Sequence, residues 1–350
     1  MKKIRVLHIL QSSQFSGAEN VACQIIEMFK NDPNYEMAYC SPEGPIRDVL
    51  SKKQIRYFGL DKLTVKNVKK ILNNYHPVLI HAHDVTASLI AVISTIGIKI
   101  DIISHIHVNH ENMSRFNVKT FIYKISSRAY KHIFWVSESC FENYKYKNVV
   151  ISKSSVLTNI INKNEVIEKA ALDHPKYDYS VVYVGRITYQ KNPEKLLKVL
   201  ELVINQLTEV RIAIVGNGDM LENICELIRE KKLDNSIHVL GYMDNPYGII
   251  KNAKVLLMTS RYEGLPMTVL ESLALGTPVV STPVDGLLNV IENGENGFLA
   301  TDNQDLANKV CQIVTSNALY EEMSAKAIKM FDRIMNLDLY KQKIQEVYEK

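Results

Sequence analysis

No uninterrupted apolar run in this chain of 350 residues reaches the roughly 18 that a membrane-crossing helix needs. The longest candidate, residues 87–98, is better suited to a buried helix. Neither sign of charge dominates: the net charge is +4, too little to argue for a nucleic-acid partner, so any basic attraction must be local. Cysteine is sparse and scattered. Cys23, Cys40, Cys140, Cys225 and Cys311 include no CxxC pair, which favours buried thiols in a reducing cytoplasm over disulfides or a zinc site. Low-complexity tracts and a disordered composition are missing too. The opening MKKIRVLHIL has the basic start of a signal peptide. Its apolar run is short, however, ends in Gln11-Ser12-Ser13-Gln14, and meets no small-residue cleavage site; it is expected to be a first buried strand.

What is present is alternation. Short apolar runs alternate with longer helical patterns, as in βα units with a parallel sheet. Strands are expected at residues 4–10, 36–40, 78–81, 102–107, 132–136 and 149–151, with helices at 17–29, 65–74, 86–96 and 117–130. A polar stretch, 163–178, then connects two domains, and the pattern restarts. Strands follow at 180–184, 211–215, 237–240, 255–258 and 278–281, and helices at 193–205, 220–231, 267–275, 305–315, 321–330 and 338–349. The fold class is α/β with two Rossmann-like domains, 1–160 and 178–335, a connection at 161–177 and a final helix at 336–350. The chain is long enough for both. Every motif below follows an expected strand end, where open parallel sheets bind ligands.

The densest motif is RYEGLPMTVLE, residues 261–271, which runs on into SLALGTPVVSTPVDG. Glu263 and Glu271 flank a Gly264-Leu265-Pro266 turn and the start of a helix. A helix N-terminus offers unpaired N–H groups and a positive dipole end to phosphate, and the two carboxylates can hold sugar hydroxyls. The implied ligand is a sugar joined to phosphate.

This motif resembles the donor-site signature of retaining family-4 glycosyltransferases of GT-B architecture, and the likeness extends from about Val6 to Phe298. It implies two Rossmann-like domains facing across a cleft, with the C-terminal helix crossing back to the first. In that resemblance Arg186 and Lys191, in the loop after a strand ending VVYV, bind the donor diphosphate. Fixed cations there stabilise charge that grows on the leaving group. Gly216, in Val215-Gly216-Asn217-Gly218-Asp219, lets main chain approach the phosphates. Gly241 and Tyr242 mark where relatives contact the nucleobase, although a plain strand end reads nearly as well. Glu271 is expected to hold the ribose and Glu263 the donor sugar, with Gly264, Leu265 and Pro266 shaping that pocket. The N–H groups of Thr268 and Val269 are expected phosphate donors. The pattern requires no metal and no cofactor beyond a nucleotide-sugar, expected to be a UDP-sugar.

On the acceptor side, Ser16-Gly17-Ala18-Glu19 departs at Ser16 from the Gly-Gly-Ala-Glu of relatives. Gly17 keeps a close-approach role; Glu19 either contacts acceptor hydroxyls or serves the helix dipole. Two histidine clusters follow, His81-Ala82-His83-Asp84 and His105-Ile106-His107-Val108-Asn109-His110. Strand alternation puts His81 with His83 and His105 with His107, and such sets raise a zinc hypothesis. Most of them read as structural. His107 is expected to be catalytic, near the anomeric carbon, where it orients the donor sugar or relays a proton; His83 and Asn109 are acceptor-side candidates. The implied chemistry is retaining transfer to a glycan or lipid-linked saccharide during cell-surface polysaccharide synthesis, in the cytoplasm or at the inner face of the membrane. A non-catalytic nucleotide-sugar-binding protein and a metal-dependent hydrolase are the alternatives.

Within residues 117–130, Val118, Phe121, Ile122, Ile125 and Ala129 form one apolar helical stripe flanked by Arg115, Lys119, Lys124, Arg128 and Lys131. The stripe is expected to pack on its own sheet. Only the basic flanks, from Arg115 to Lys131, are left for peripheral contact with an anionic membrane.

Overall fold

The computed structural model describes residues 3–107, 113–172 and 178–350. Two compact units emerge, Met1–Ile160 with Leu337–Lys350, and Ile161–Asn336. The first is built on seven parallel strands: β1 (Ile4–Leu10), β2 (Tyr35–Pro42), β3 (Tyr57–Leu60), β4 (Leu79–His83), β5 (Asp101–Ile106), β6 (His132–Trp135) and β7 (Ser154–Val156). Their order is β3-β2-β1-β4-β5-β6-β7. Its helices are α1 (Gly17–Met28), α2 (Ile46–Lys52), α3 (Val65–Tyr75), α4 (Val85–Ser94), α5 (Val118–Ser126), α6 (Glu138–Glu142) and α7 (Lys147–Val150).

The second unit holds α8 (Lys163–Leu172), α9 (Pro193–Gln206), α10 (Leu221–Glu230), α11 (Tyr247–Asn252), α12 (Met267–Ala274), α13 (Asn303–Thr315) and α14 (Asn317–Ile334). Its strands are β8 (Val181–Val184), β9 (Ile212–Val215), β10 (Ile237–Gly241), β11 (Val255–Met258), β12 (Val279–Ser281) and β13 (Gly297–Leu299), in the order β10-β9-β8-β11-β12-β13. The last helix, α15 (Leu337–Glu349), returns to the first unit.

Runs such as Val181-Val182-Tyr183 and Val255-Leu256-Leu257-Met258 are buried on both faces, because helices cover both sides of a parallel sheet. Each sheet reverses its strand order once, between β1 and β4 and between β8 and β11. Connections diverge there and leave a crevice beyond the carboxyl ends.

Several elements differ from expectation. Residues 149–151 are helical, with Val149 and Ile151 exposed, and the edge strand is β7 instead. The polar stretch contains α8, which buries Val166 and Ala170 in the second unit. The largest correction concerns α5. It turns Thr120 and Tyr123 inward, and the Tyr123 hydroxyl meets Ser104 Oγ at 2.8 Å. Val118, Phe121, Ile122 and Ile125 therefore face solvent rather than the sheet.

Helix α15 buries Tyr340, Ile344, Val347 and Tyr348. The Tyr348 hydroxyl lies 2.7 Å from His81 Nδ1, Tyr35 donates to Glu349 Oε1 at 2.6 Å, and Lys341 pairs with Asp32 at 3.1 Å. Tyr348→Phe strands a buried imidazole nitrogen and is expected to cost about 1–3 kcal/mol; Tyr348→Ala also opens a cavity, for about 3–5 kcal/mol. Trp135, the one tryptophan, lies in the core of this unit, so its fluorescence during denaturant unfolding reads both losses. Equal losses would show that the ring contributes nothing beyond its hydroxyl.

Candidate functional site

The second unit brings two loops together at its switch point, residues 185–192 after β8 and 259–266 after β11. They are laced by main chain: Arg261 N–H donates to Gln190 O at 2.8 Å, and Thr259 Oγ1 to Asn192 O at 3.1 Å. The Arg261 guanidinium donates to Tyr189 O at 3.1 Å and lies over that tyrosine's ring. Between the loops, Lys191 Nζ and Glu263 Oε1 form an ion pair at 2.5 Å, with side chains only 12% and 7% exposed. The Gln190 amide donates to Glu263 Oε2 (3.3 Å) and Tyr262 O (3.1 Å), while its oxygen accepts from exposed Arg186 at 3.1 Å. Arg186, Gln190, Lys191 and Glu263 thus form one connected set. Gln190 was not singled out in the sequence, although it lies between the two expected cations.

Glycine closes the floor of this region. Gly216 holds φ of 139°, its N–H donates to Gly241 O at 2.7 Å, and a Cβ on it would overlap the Gly185 carbonyl. Only glycine lets the loops after β8 and β9 approach so closely. Gly241 is left-handed at φ 70°, and Tyr242 beside it is exposed. The Gly264-Leu265-Pro266 turn is backed by Gly286, where a Cβ would strike the Gly264 carbonyl.

Pro266 caps α12 in extended conformation. Its carbonyl accepts from Val269 N (3.1 Å) and Leu270 N (3.4 Å), which corrects the expectation for Val269: that amide is already engaged. The Met267 and Thr268 amides have no partner among the described residues, as first-turn donors generally lack one. Glu271 is buried, hydrogen-bonded at 3.3 Å by the Tyr247 hydroxyl. Burial raises its pKa to about 7, against the lowering effect of Tyr247 and Lys169. Tyr247 opens α11, and nothing in the sequence pointed to it.

In the first unit the expected histidines are buried and stacked. His8 Nδ1 lies 3.0 Å from His83 Nε2, and His83 Nδ1 lies 2.8 Å from His107 Nε2. His81 stacks on His83, and His105 packs on His107, at centroid distances of 4.4 and 4.0 Å. Desolvation lowers the pKa of His8 to about 3 and of His107 to about 4, and pushes His81, His83 and His105 well down. These imidazoles are neutral at pH 7. Two triads, His8-His81-His83 and His83-His105-His107, place their nitrogens within 4.8 Å and could hold a metal ion. His8 was missed because it stands alone in β1.

Gly17 opens α1, and Glu19 in its first turn is buried and accepts from Ser16 Oγ at 2.5 Å. The unusual Ser16 thus has a defined role: it fixes Glu19. Asp84 follows His83 with φ of 105° and caps α4 through Ala87 N–H at 2.8 Å. Such strain in a non-glycine residue marks sites held by their surroundings, and burial raises its pKa to about 6. Asn109 lies outside the described residues.

Comparison with known proteins matches residues 164–330 to the family Glycosyl transferases group 1. The chain is 25% identical over 233 residues to poly(glycerol-phosphate) alpha-glucosyltransferase of Bacillus subtilis (strain 168), covering 65% of this chain and 34% of that protein. It therefore spans about a third of that relative's length. It is 23% identical over 387 residues to the Escherichia coli UDP-Gal:alpha-D-GlcNAc-diphosphoundecaprenol alpha-1,3-galactosyltransferase, covering 99% and 97% of the two chains. Anabaena Alr3699/HepE, solved in complex with UDP and glucose, shares the fold with a TM-score of 0.85 at 17% identity, over 99% of this chain and 100% of that one.

Glu271 carries a measurable cost. Its pKa is raised from 4.5 to about 7, so folding favours the protonated form. Its contribution is whole below pH 4.5 and is lost as pH rises through 7. Glu271→Gln is expected to match the parent at pH 4 and to exceed it by ~2–3 kcal/mol at pH 8. Urea melts at the two pH values read this; no gain at pH 8 would mean the carboxylate is not desolvated.

Proposed function

We propose that this chain is a group 1 glycosyl transferase, the family its residues 164–330 match, and that it transfers a hexose or related sugar, with retention, from a UDP-sugar to a glycan or lipid-linked saccharide of a cell-surface polysaccharide. One observation carries the reading: the buried Lys191–Glu263 pair at the switch point of the second sheet, with Glu271 two helical turns further on. The substrates for which the relatives are named and the UDP bound to the structural neighbour support the donor and the acceptor class.

The chemistry follows from charge. Breaking the glycosidic bond leaves negative charge on the departing diphosphate. Lys191, Arg186 and the Met267 and Thr268 amides supply positive ends for it, where preorganised donors act most strongly. A diphosphate competes with Glu263 for Lys191 and thereby frees that carboxylate to accept from sugar hydroxyls. Glu271 accepts from the ribose hydroxyls, which replace the water it lost on burial. Gly216 and Gly241 give main chain to the phosphates and the base, and Leu265 and Pro266 bound the sugar. Glu19, Gly17 and His83 form the acceptor-side set, with Asn109 beyond the described residues, and His107 acts near the anomeric carbon to orient the donor sugar or relay a proton. The acceptor hydroxyl attacks from the face the diphosphate leaves, and a phosphate oxygen takes its proton. No step calls on a metal.

Thermal shifts with UDP, GDP, ADP and TDP and their sugars, with and without chelator, test the donor. Stabilisation by UDP compounds in chelator, lost in Glu271→Ala, is expected. Lys191→Ala is expected to lower kcat by about 10²- to 10³-fold, and NMR of the product to show the donor's anomeric configuration. Chelator-sensitive activity with no nucleotide shift would replace this reading with a metal-dependent one on the histidine triads.

A further inference from the structure

We propose that Tyr247 is a positioning residue of the nucleotide site: its hydroxyl holds one oxygen of the Glu271 carboxylate and thereby aims the other at the ribose hydroxyls of a nucleoside diphosphate. This rests on the nucleotide-sugar reading above and deepens it. The observation is a division of labour between two oxygens. Glu271 Oε1 accepts from the Tyr247 hydroxyl at 3.3 Å, while Oε2 has no partner among the described residues. Glu271 is buried, so water cannot hold the carboxylate in place. Turning it about its last bond would break the one hydrogen bond it has, and a buried acceptor without a partner is costly.

Tyr247 is itself fixed from α8, the helix inside the polar connection. Its N–H donates to Asn245 Oδ1 at 3.4 Å, and the Asn245 amide donates to Lys169 O at 2.9 Å. Lys169 Nζ lies 5.9 Å from the centre of the Tyr247 ring and pairs with Glu165 at 2.7 Å. Helix α8 packs on both α11 and α12, with Val166 and Ala170 buried beneath it. A stretch that reads as a plain connection in the sequence thus sets the geometry of a carboxylate on α12.

The same two residues govern its charge. Tyr247 from α11 and Lys169 from α8 both favour the ionised form of Glu271, against burial. Burial and the neighbouring charge of Glu271 push the Tyr247 phenol up, so it remains a donor. An ionised carboxylate accepts at both oxygens, whereas a protonated one turns one of them into a donor. Removing the hydroxyl therefore acts twice in one direction: the carboxylate loses its orientation and holds its proton more tightly. Among the described residues no hydrogen bond joins Tyr247 to the Lys191–Glu263 set, so the effect falls on nucleotide affinity.

Calorimetric titration of the full chain with UDP and with 2′,3′-dideoxy-UDP tests this, because the second probe keeps the diphosphate and lacks the hydroxyls. Tyr247→Phe is expected to weaken UDP about 3- to 10-fold and to leave the dideoxy compound unchanged, which also shows that the variant folds. In a Glu271→Gln background the same substitution should change neither. The affinity ratio of UDP to dideoxy-UDP should rise with pH through about 7 in the parent, and at higher pH in Tyr247→Phe. Lys169→Gln, at a more exposed site, should move that rise in the same direction. Equal losses for both probes would make Tyr247 merely structural and overturn the proposal, as would parent-like UDP binding by Tyr247→Phe. A parent that binds no UDP, or binds both probes equally, would instead remove the nucleotide reading of Glu271 on which the proposal stands.

Discussion

The second unit is organised at its switch point around one desolvated ion pair. Lys191 and Glu263 are brought together by loops leaving adjacent strands on opposite sides of the switch point, with little water around them. Removing water from two charges costs several kcal/mol per ion, and their attraction roughly returns it. The pair adds little net stability, yet losing one partner would leave a buried charge worth about 3–5 kcal/mol. That asymmetry constrains its neighbours. Gln190 must satisfy the second carboxylate oxygen, Arg261 and Thr259 must hold the loops in register, and Gly216 must admit the Gly185 main chain.

The first unit has the same switch-point topology and fills it with the opposite chemistry. Where β1 meets β4 there are imidazoles kept neutral by burial. Neutrality is what permits rings to stack at 4.0–5.1 Å between centroids without repulsion. It also couples them. A neutral imidazole gives one proton and accepts one, so in the row His8-His83-His107 the tautomer of the end ring sets that of the other two. A histidine three strands into the sheet order therefore has a say in which nitrogen of His107 carries its proton.

The sequence made visible what depends on strand ends and local spacing. Alternation gave the parallel strands, glycines marked the loops that need close approach, and the two glutamates marked the loop and helix start where the Lys191–Glu263 pair forms. It did not reveal partners supplied from a distance. Gln190, Tyr247 and His8 carry no motif of their own, and each acquires its contact through topology: His8 lies 75 positions from His83. Periodicity also misread α5. A stripe tells which residues share a face, but which face the protein buries was decided by Tyr123 and Ser104, from two separate elements. The short strand β3 and the edge strand β13 escaped for the usual reason that three or four residues carry too little pattern.

Two glutamates eight positions apart have opposite electrostatic fates, and the difference is itself informative. Glu263 is matched by a lysine. Glu271 is equally hidden, and the Tyr247 hydroxyl at 3.3 Å and the charge of Lys169 lower its pKa by less than burial raises it, so its carboxyl is held near half-protonation at neutral pH. A core that served stability alone would place an apolar residue there. A carboxylate left short of donors suits a ligand that brings several, as the two adjacent hydroxyls of a ribose would in the proposed function. In the proposed reading a nucleotide supplies those donors, so the affinity of the site and the cost that Glu271 brings to the fold have one physical origin.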